Sequence, residues 1–119
     1  MSDKDAITSA VQAYIDGCAN GDDTRLKEGF HPDARMFGRV GDDRYDVPIF
    51  PNMSEMVVGQ PVGAYKQNIA LVDVSGEAAV VKLEESGFWG QDFVDYFILN
   101  KIEGAWQIVG KSFHHVGPS

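Results

Sequence analysis

Apolar positions change period once along this chain, from roughly every third or fourth residue near the start to strict alternation in the second half. Ile7, Ala10, Val11, Tyr14, Ile15 and Cys18 form one stripe at helical spacing, with Ser, Gln and Asp between them. Ser2-Asp3-Lys4-Asp5 supplies a cap and first-turn acids, and Asn20-Gly21 a stop, so this stretch is predicted as an amphipathic helix. Asp22-Asp23 caps a second, shorter helix through Leu26 to Phe30. His31-Pro32-Asp33 ends it, because a residue before proline is driven out of the helical region. Ala34 to Val40 reads as a strand with Met36, Gly38 and Val40 on one face and Arg35, Phe37 and Arg39 on the other. Gly41-Asp42-Asp43-Arg44 is a turn whose acids lack calcium-loop spacing. Tyr45 to Pro61, broken by Pro48, Pro51, Gly59 and Pro61, reads as irregular with a short helix starting near Asn52 or Ser54. Such a connection is either a lid over a pocket or a plug in the core.

From Tyr65 onward the pattern is β. Lys66 to Val74 and Glu77 to Glu85 flank the turn signal Ser75-Gly76, which sets Asn68, Ala70 and Val72 beside Ala79, Val81 and Leu83. Glu85 to Gly90 turns the chain, with Phe88-Trp89 at the tip. Asp92 to Ile102 and Trp106 to Phe113 then flank Glu103-Gly104, a tight hairpin signal. An unbroken ladder from that turn opposes Lys101 to Trp106, Leu99 to Ile108, Phe97 to Gly110 and Asp95 to Ser112. It gathers Phe93, Asp95, Phe97 and Leu99 on one face with Trp106, Ile108, Ser112 and His114. Helices first and an antiparallel meander afterwards predict one α+β domain over residues 1–119, the long helix packed on a curved sheet. Both faces of the later strands carry large apolar residues. A homodimer through the sheet is therefore expected.

Charge narrows the partners. Eighteen acids against ten Lys and Arg give a formal net charge of -8 with no basic cluster, so neither nucleic acid nor an anionic membrane is an expected partner. No apolar run is long enough to span a bilayer, and the acidic start is unlike a secretory leader, which predicts a cytoplasmic location. The single Cys18 sits on the buried helical stripe as a structural thiol. Phosphate-binding loops, nucleophile elbows and dinucleotide fingerprints are missing, and no cofactor or metal is expected. His31, His114 and Asp95 are nonetheless residue types that zinc or iron accepts.

Several phrases, taken in order, carry a resemblance that spans nearly the whole chain. They are Val11-Gln12-Ala13-Tyr14-Ile15-Asp16-Gly17 with Gly21-Asp22, then Phe30-His31-Pro32-Asp33-Ala34, then Phe93-Val94-Asp95-Tyr96. Gly104-Ala105-Trp106-Gln107-Ile108-Val109 with Lys111 and Phe113-His114 completes the set. Together they resemble the nuclear transport factor 2-like superfamily, in its SnoaL-like, lumazine-binding branch. The resemblance implies a cone-shaped, cystatin-like roll in which helices and a curved, mostly antiparallel sheet enclose an apolar pocket. It also implies homodimers through the sheet. Ketosteroid isomerases of the superfamily carry a base aspartate on the first strand, where this chain reads Arg35-Met36-Phe37-Gly38-Arg39, with no carboxylate.

Asp95 is the leading candidate for chemistry. A carboxylate among Phe93, Phe97 and Leu99 is costly unless paired, and burial would raise its pKa toward acid–base use. It acts as a general acid or base with His114 or Tyr14, or it braces the cone by bonding His31, a helix end or Ser112. His31, Phe37, Trp89, Phe97, Trp106 and Ser112 are the candidate ligand-binding residues. Two functions follow. One is a binding protein for a small apolar or aromatic molecule. The other is a cofactor-independent lyase, isomerase or cyclase acting on a cyclic or polyketide-like substrate.

Overall fold

The structure, a computed structural model, describes residues 2–119. Helix α1 (Asp3–Asn20) starts where the Ser2 hydroxyl accepts the Asp5 N–H at 3.1 Å, and it ends at Gly21 in the left-handed region, φ 63°. Helix α2 (Asp23–Glu28) is capped by Asp22 and packs on α1 at Gly17, where an added Cβ would lie 2.6 Å from the Leu26 Cα. It is shorter than expected, because Phe30 already belongs to the first strand. That strand, β1 (Phe30–Val40), carries His31-Pro32-Asp33 where its pairing is irregular, as a residue without an N–H requires.

The segment expected to be irregular is ordered. It forms β2 (Asp43–Pro48), hairpinned to β1 with Val40 opposite Asp43, and then α3 (Ile49–Val57). The alternation was present in the sequence: Tyr45 and Val47 are half-buried while Arg44, Asp46 and Pro48 are exposed. Helix α3 serves the core and walls a cavity as well. Ile49, Met53 and Val57 are buried in the core, whereas Met53 and Met56 also line a cavity.

Four more strands follow, β3 (Lys66–Ser75), β4 (Ala78–Phe88), β5 (Gln91–Ile102) and β6 (Ala105–Pro118). One six-stranded sheet results, in the order β2-β1-β6-β5-β4-β3, antiparallel except where β1 meets β6. The three helices cover one face, and Ile7, Val11, Leu26, Val81, Phe97 and Ile108 fill the space between, each at 0 % exposure. No helix of the described residues is long and apolar enough to cross a membrane.

Two bulges correct the expected registers. In β3, pairing shifts between Ile69 and Leu71, so Ile69 opposes Leu83 and joins the inner face in place of Ala70. In β6 the shift falls at Val109-Gly110. Leu99 still opposes Ile108, but Ile98 opposes Gly110, Phe97 opposes Lys111 and Asp95 opposes Phe113. Two residues opposite one reverse the alternation beyond them. Lys111 and Phe113 therefore face inward, and Ser112 and His114 are exposed on the far side.

Candidate functional site

Four polar side chains meet beneath α1, at the end of the inner face where the core stops being apolar. Tyr14 comes from the buried stripe of α1, and its ring stands edge-on to Phe97, centroids 5.1 Å apart. Glu85 extends the inward alternation Val81, Leu83, Glu85 of β4, and Asp95 extends Leu99, Phe97, Asp95 of β5. Because Leu83 opposes Asp95, Glu85 sits one step along the same face as its diagonal neighbour. Lys111 arrives from β6 by way of the bulge. Exposures are 1 % for Tyr14, 3 % for Glu85, 1 % for Asp95 and 7 % for Lys111.

The Tyr14 hydroxyl lies 3.3 Å from Glu85 Oε1 and 3.5 Å from Asp95 Oδ2. A phenol has one proton to give, so it cannot donate to both carboxyls at once. Burial, then the Asp95 charge and hydrogen bond, push Glu85 well above the usual carboxyl range, while Lys111 pulls the other way. Glu85 is thus a carboxyl whose protonated form the site favours. Burial and the adjacent Glu85 and Asp95 push the Tyr14 phenol up as well, which keeps it a neutral donor. The Tyr65 hydroxyl is buried near the same carboxyl and makes no hydrogen bond of ordinary geometry. Glu85 Oε2 and Asp95 Oδ1 are buried and also lack partners. Unsatisfied acceptors of this kind are rare in folded proteins and concentrate where a ligand or water completes the network.

These groups line a cavity of about 50 Å³. Met36 and Met53 complete its floor, and half-buried Tyr45, Met56, Phe93 and Phe113 frame its mouth. Cys18 lies nearby on α1, its thiol pushed up to about 12 mainly by burial, which leaves it unreactive.

The structure brings Tyr14 and Asp95 together and sets the other expected site residues elsewhere. His114 is exposed on the outer face beside Ser112, because the β6 bulge turns both away from Asp95. Nδ1 of His31 accepts the Asp33 N–H at 3.0 Å, bracing the turn before Ala34. Phe37 is 45 % exposed under Arg35, and Trp89 is 40 % exposed at the β4–β5 tip. Trp106 donates to Asp3 Oδ1 at 3.0 Å, pinning the start of α1 to the sheet, and Phe97 supports Tyr14 from within the core. Among the described residues no three His, Cys, Asp or Glu converge as metal ligands, so His31, His114 and Asp95 do not form such a set. Glu85 and Lys111 are the additions. Glu85 was legible as the continuation of Val81 and Leu83, but the expected turn beginning at Glu85 hid it.

The family described as "Putative lumazine-binding" matches residues 2–114. This chain belongs to that family. As a lumazine-binding-like protein it falls within the nuclear transport factor 2-like superfamily, and its helices and sheet form the cystatin-like roll. Among curated relatives it is 32 % identical to the aldolase FrzH of Cladobotryum sp over 115 residues, covering 95 % of this chain and 91 % of that protein. Among solved structures, a nuclear transport factor 2-like protein of unknown function from Methylobacillus flagellatus is similar at TM-score 0.89 and 30 % identity. That match covers 95 % of this chain and 91 % of the other. A second such protein, from Shewanella baltica, is similar at TM-score 0.86 and 29 % identity, covering 98 % and 94 %.

Proposed function

We propose that this lumazine-binding-like protein binds a small, largely apolar molecule and moves a proton on it without a cofactor, as a lyase, isomerase or cyclase does. The observation that carries the reading is the Tyr14 hydroxyl poised between Glu85 and Asp95 at the wall of a cavity. A buried carboxyl held toward its protonated form beside a second carboxyl with an unpartnered oxygen is the ordinary equipment of acid–base catalysis. Asp95 is the base, Glu85 the acid, and Tyr14 orients both. His114 has no part in it. The aldolase name of the Cladobotryum relative favours chemistry at a carbon next to a carbonyl, since an aldol step begins by removing that proton. A cavity of about 50 Å³ takes only the reacting end of such a molecule, whose remainder rests on the aromatic rim.

The exposed Tyr96, Ile98 and Val116 on the outer face of β5 and β6 suit a second copy of the chain. We carry the homodimer and the cytoplasmic location as parts of this proposal, and light scattering at micromolar concentration tests the first of them.

The function is tested by incubating the protein with phenylacetone in deuterated buffer and following loss of the methylene protons by NMR. Exchange above the buffer rate, abolished by Asp95→Asn, supports proton transfer. Binding of phenylacetone with no exchange would leave a ligand-binding protein without turnover, the other reading of the pocket.

A further inference from the structure

Lys111 is buried without an oxygen to bind. Its Nζ finds only the Met36 sulfur, at 3.9 Å, and a thioether is a weak acceptor. Among the described residues no carboxylate comes within ion-pair distance of it, while Lys27 and Lys101 each have one. An ammonium has three donors, and burying them unsatisfied is costly. What surrounds it instead are aromatic faces: Nζ lies 4.9 Å from the Tyr14 ring centroid and 5.1 Å from that of Phe113. Such faces attract a cation, and a neutral amine gains little from them. Lys111 also lines the cavity, together with the carboxyl pair.

We propose that Lys111 is a catalytic residue that holds the oxygen of the ligand, and that the ligand is an aromatic or apolar carbonyl compound with an acidic C–H beside the carbonyl. This rests on the proton-transfer reading above and names the substrate class for it. In the step, Asp95 takes the proton from the carbon. The C–H electron pair becomes the new carbon–carbon double bond, and the carbonyl π pair moves onto oxygen. That oxygen becomes negative while donated hydrogen bonds from the Lys111 ammonium hold it, and Lys111 neither gains nor loses a proton. The enolate then takes a proton back from Asp95, or its carbon attacks a second carbonyl carbon, whose π pair moves onto its oxygen and takes up the proton from Asp95. Hydrogen bonds that strengthen as charge develops act on the transition state more than on the bound substrate. The unsatisfied donors of Lys111 and the unsatisfied carboxylate oxygen of Asp95 are thus the two halves of one device, for the oxygen and for the proton.

Two probes test this with separate readouts. The first is deuterium exchange into phenylacetone, and the second is 4-nitrophenol, whose absorbance reports how much of it binds as the phenolate, an oxyanion without a reaction. Wild type should exchange the ketone and bind the phenol ionised. Lys111→Met should lose at least tenfold in both, and Lys111→Arg should recover phenolate binding more than exchange. Circular dichroism identifies a variant that fails to fold, in which case Lys111→Gln replaces it. If wild type exchanges and both apolar and amide variants exchange equally well, the inference is overturned and the proton-transfer reading stands. If wild type does not exchange and Asp95→Asn changes nothing, that reading fails and takes this one with it. Trapping of phenylacetone on Lys111 by cyanoborohydride, seen as added mass on that residue, would overturn it too, since the lysine would then bond to carbon instead of holding oxygen.

Discussion

Two ends of one sheet face lie under the same helix and are built oppositely. Toward the β5–β6 turn, Val81, Leu99, Trp106 and Ile108 share an apolar core with Ile7 and Val11, and the Trp106 indole N–H at its edge is satisfied by Asp3. Toward the other end, Glu85, Asp95 and Lys111 take the corresponding inward positions, and one oxygen each of Glu85 and Asp95 has no partner. Strand geometry cannot account for the contrast, since β4, β5 and β6 run through both ends. It comes from which residue types the alternation delivers inward, and on β6 from one bulge. The apolar end has the composition of a part that holds the fold together, and the polar end that of a part made to meet something else.

If that division is right, substitutions at the two ends should fail in different assays. Asp95→Asn should slow exchange of phenylacetone by about 10²- to 10⁴-fold, the usual worth of a positioned acid or base, and move the urea midpoint little. Ile108→Ala should do the reverse. Loss of a fully buried isoleucine costs about 2–5 kcal/mol, read from denaturant unfolding, while exchange per folded molecule is kept. A drop in exchange without unfolding in that variant would erase the distinction.

Smaller effects sharpen the same contrast. Glu85 is held protonated in the fold at pH values where the unfolded chain has released that proton, so the native state binds the extra proton and stability falls as pH rises through that window. The window opens at the ordinary glutamate value and closes once Glu85 titrates in the folded protein, with a slope of up to about 1.4 kcal/mol per pH unit. Glu85→Gln should remove this slope, so that its advantage over wild type grows with pH across the window. Parallel stability curves for the two proteins would contradict it. Tyr14→Phe should cost about 1 kcal/mol or less in stability, because the ring and its contact with Phe97 remain and only a long hydrogen bond is lost. Its exchange rate should fall several-fold. His114→Ala, on the outer face, should change stability by no more than about 0.5 kcal/mol and exchange not at all.

Much of this was legible in the residues. The capped helix with its buried stripe, the two tight hairpins, the inward run of Leu99, Phe97 and Asp95, and the meander all follow from period and turn chemistry. Tyr14 and Asp95 were each legible as a polar residue on an apolar face, with His114 the other partner that the alternation offered Asp95. What alternation could not reveal was where it breaks. A bulge adds one residue without any mark beyond a Val-Gly step, and counting past Gly110 as though the ladder were regular put Ser112 and His114 inside and left Lys111 out. In the same way, reading a turn from Glu85 onward left that residue off an inner face that was counted only as far as Leu83. Both errors fell at the polar end, where irregular pairing aims side chains at the cavity.

The proton on Glu85 is the point on which the account turns. Carbon-13 NMR of side-chain carboxyls, followed across pH and assigned with Glu85→Gln, observes it directly. The predicted result is one glutamate carboxyl that titrates well above the ordinary glutamate range and is lost in Glu85→Gln. Titration of every glutamate within the ordinary carboxyl range would contradict it.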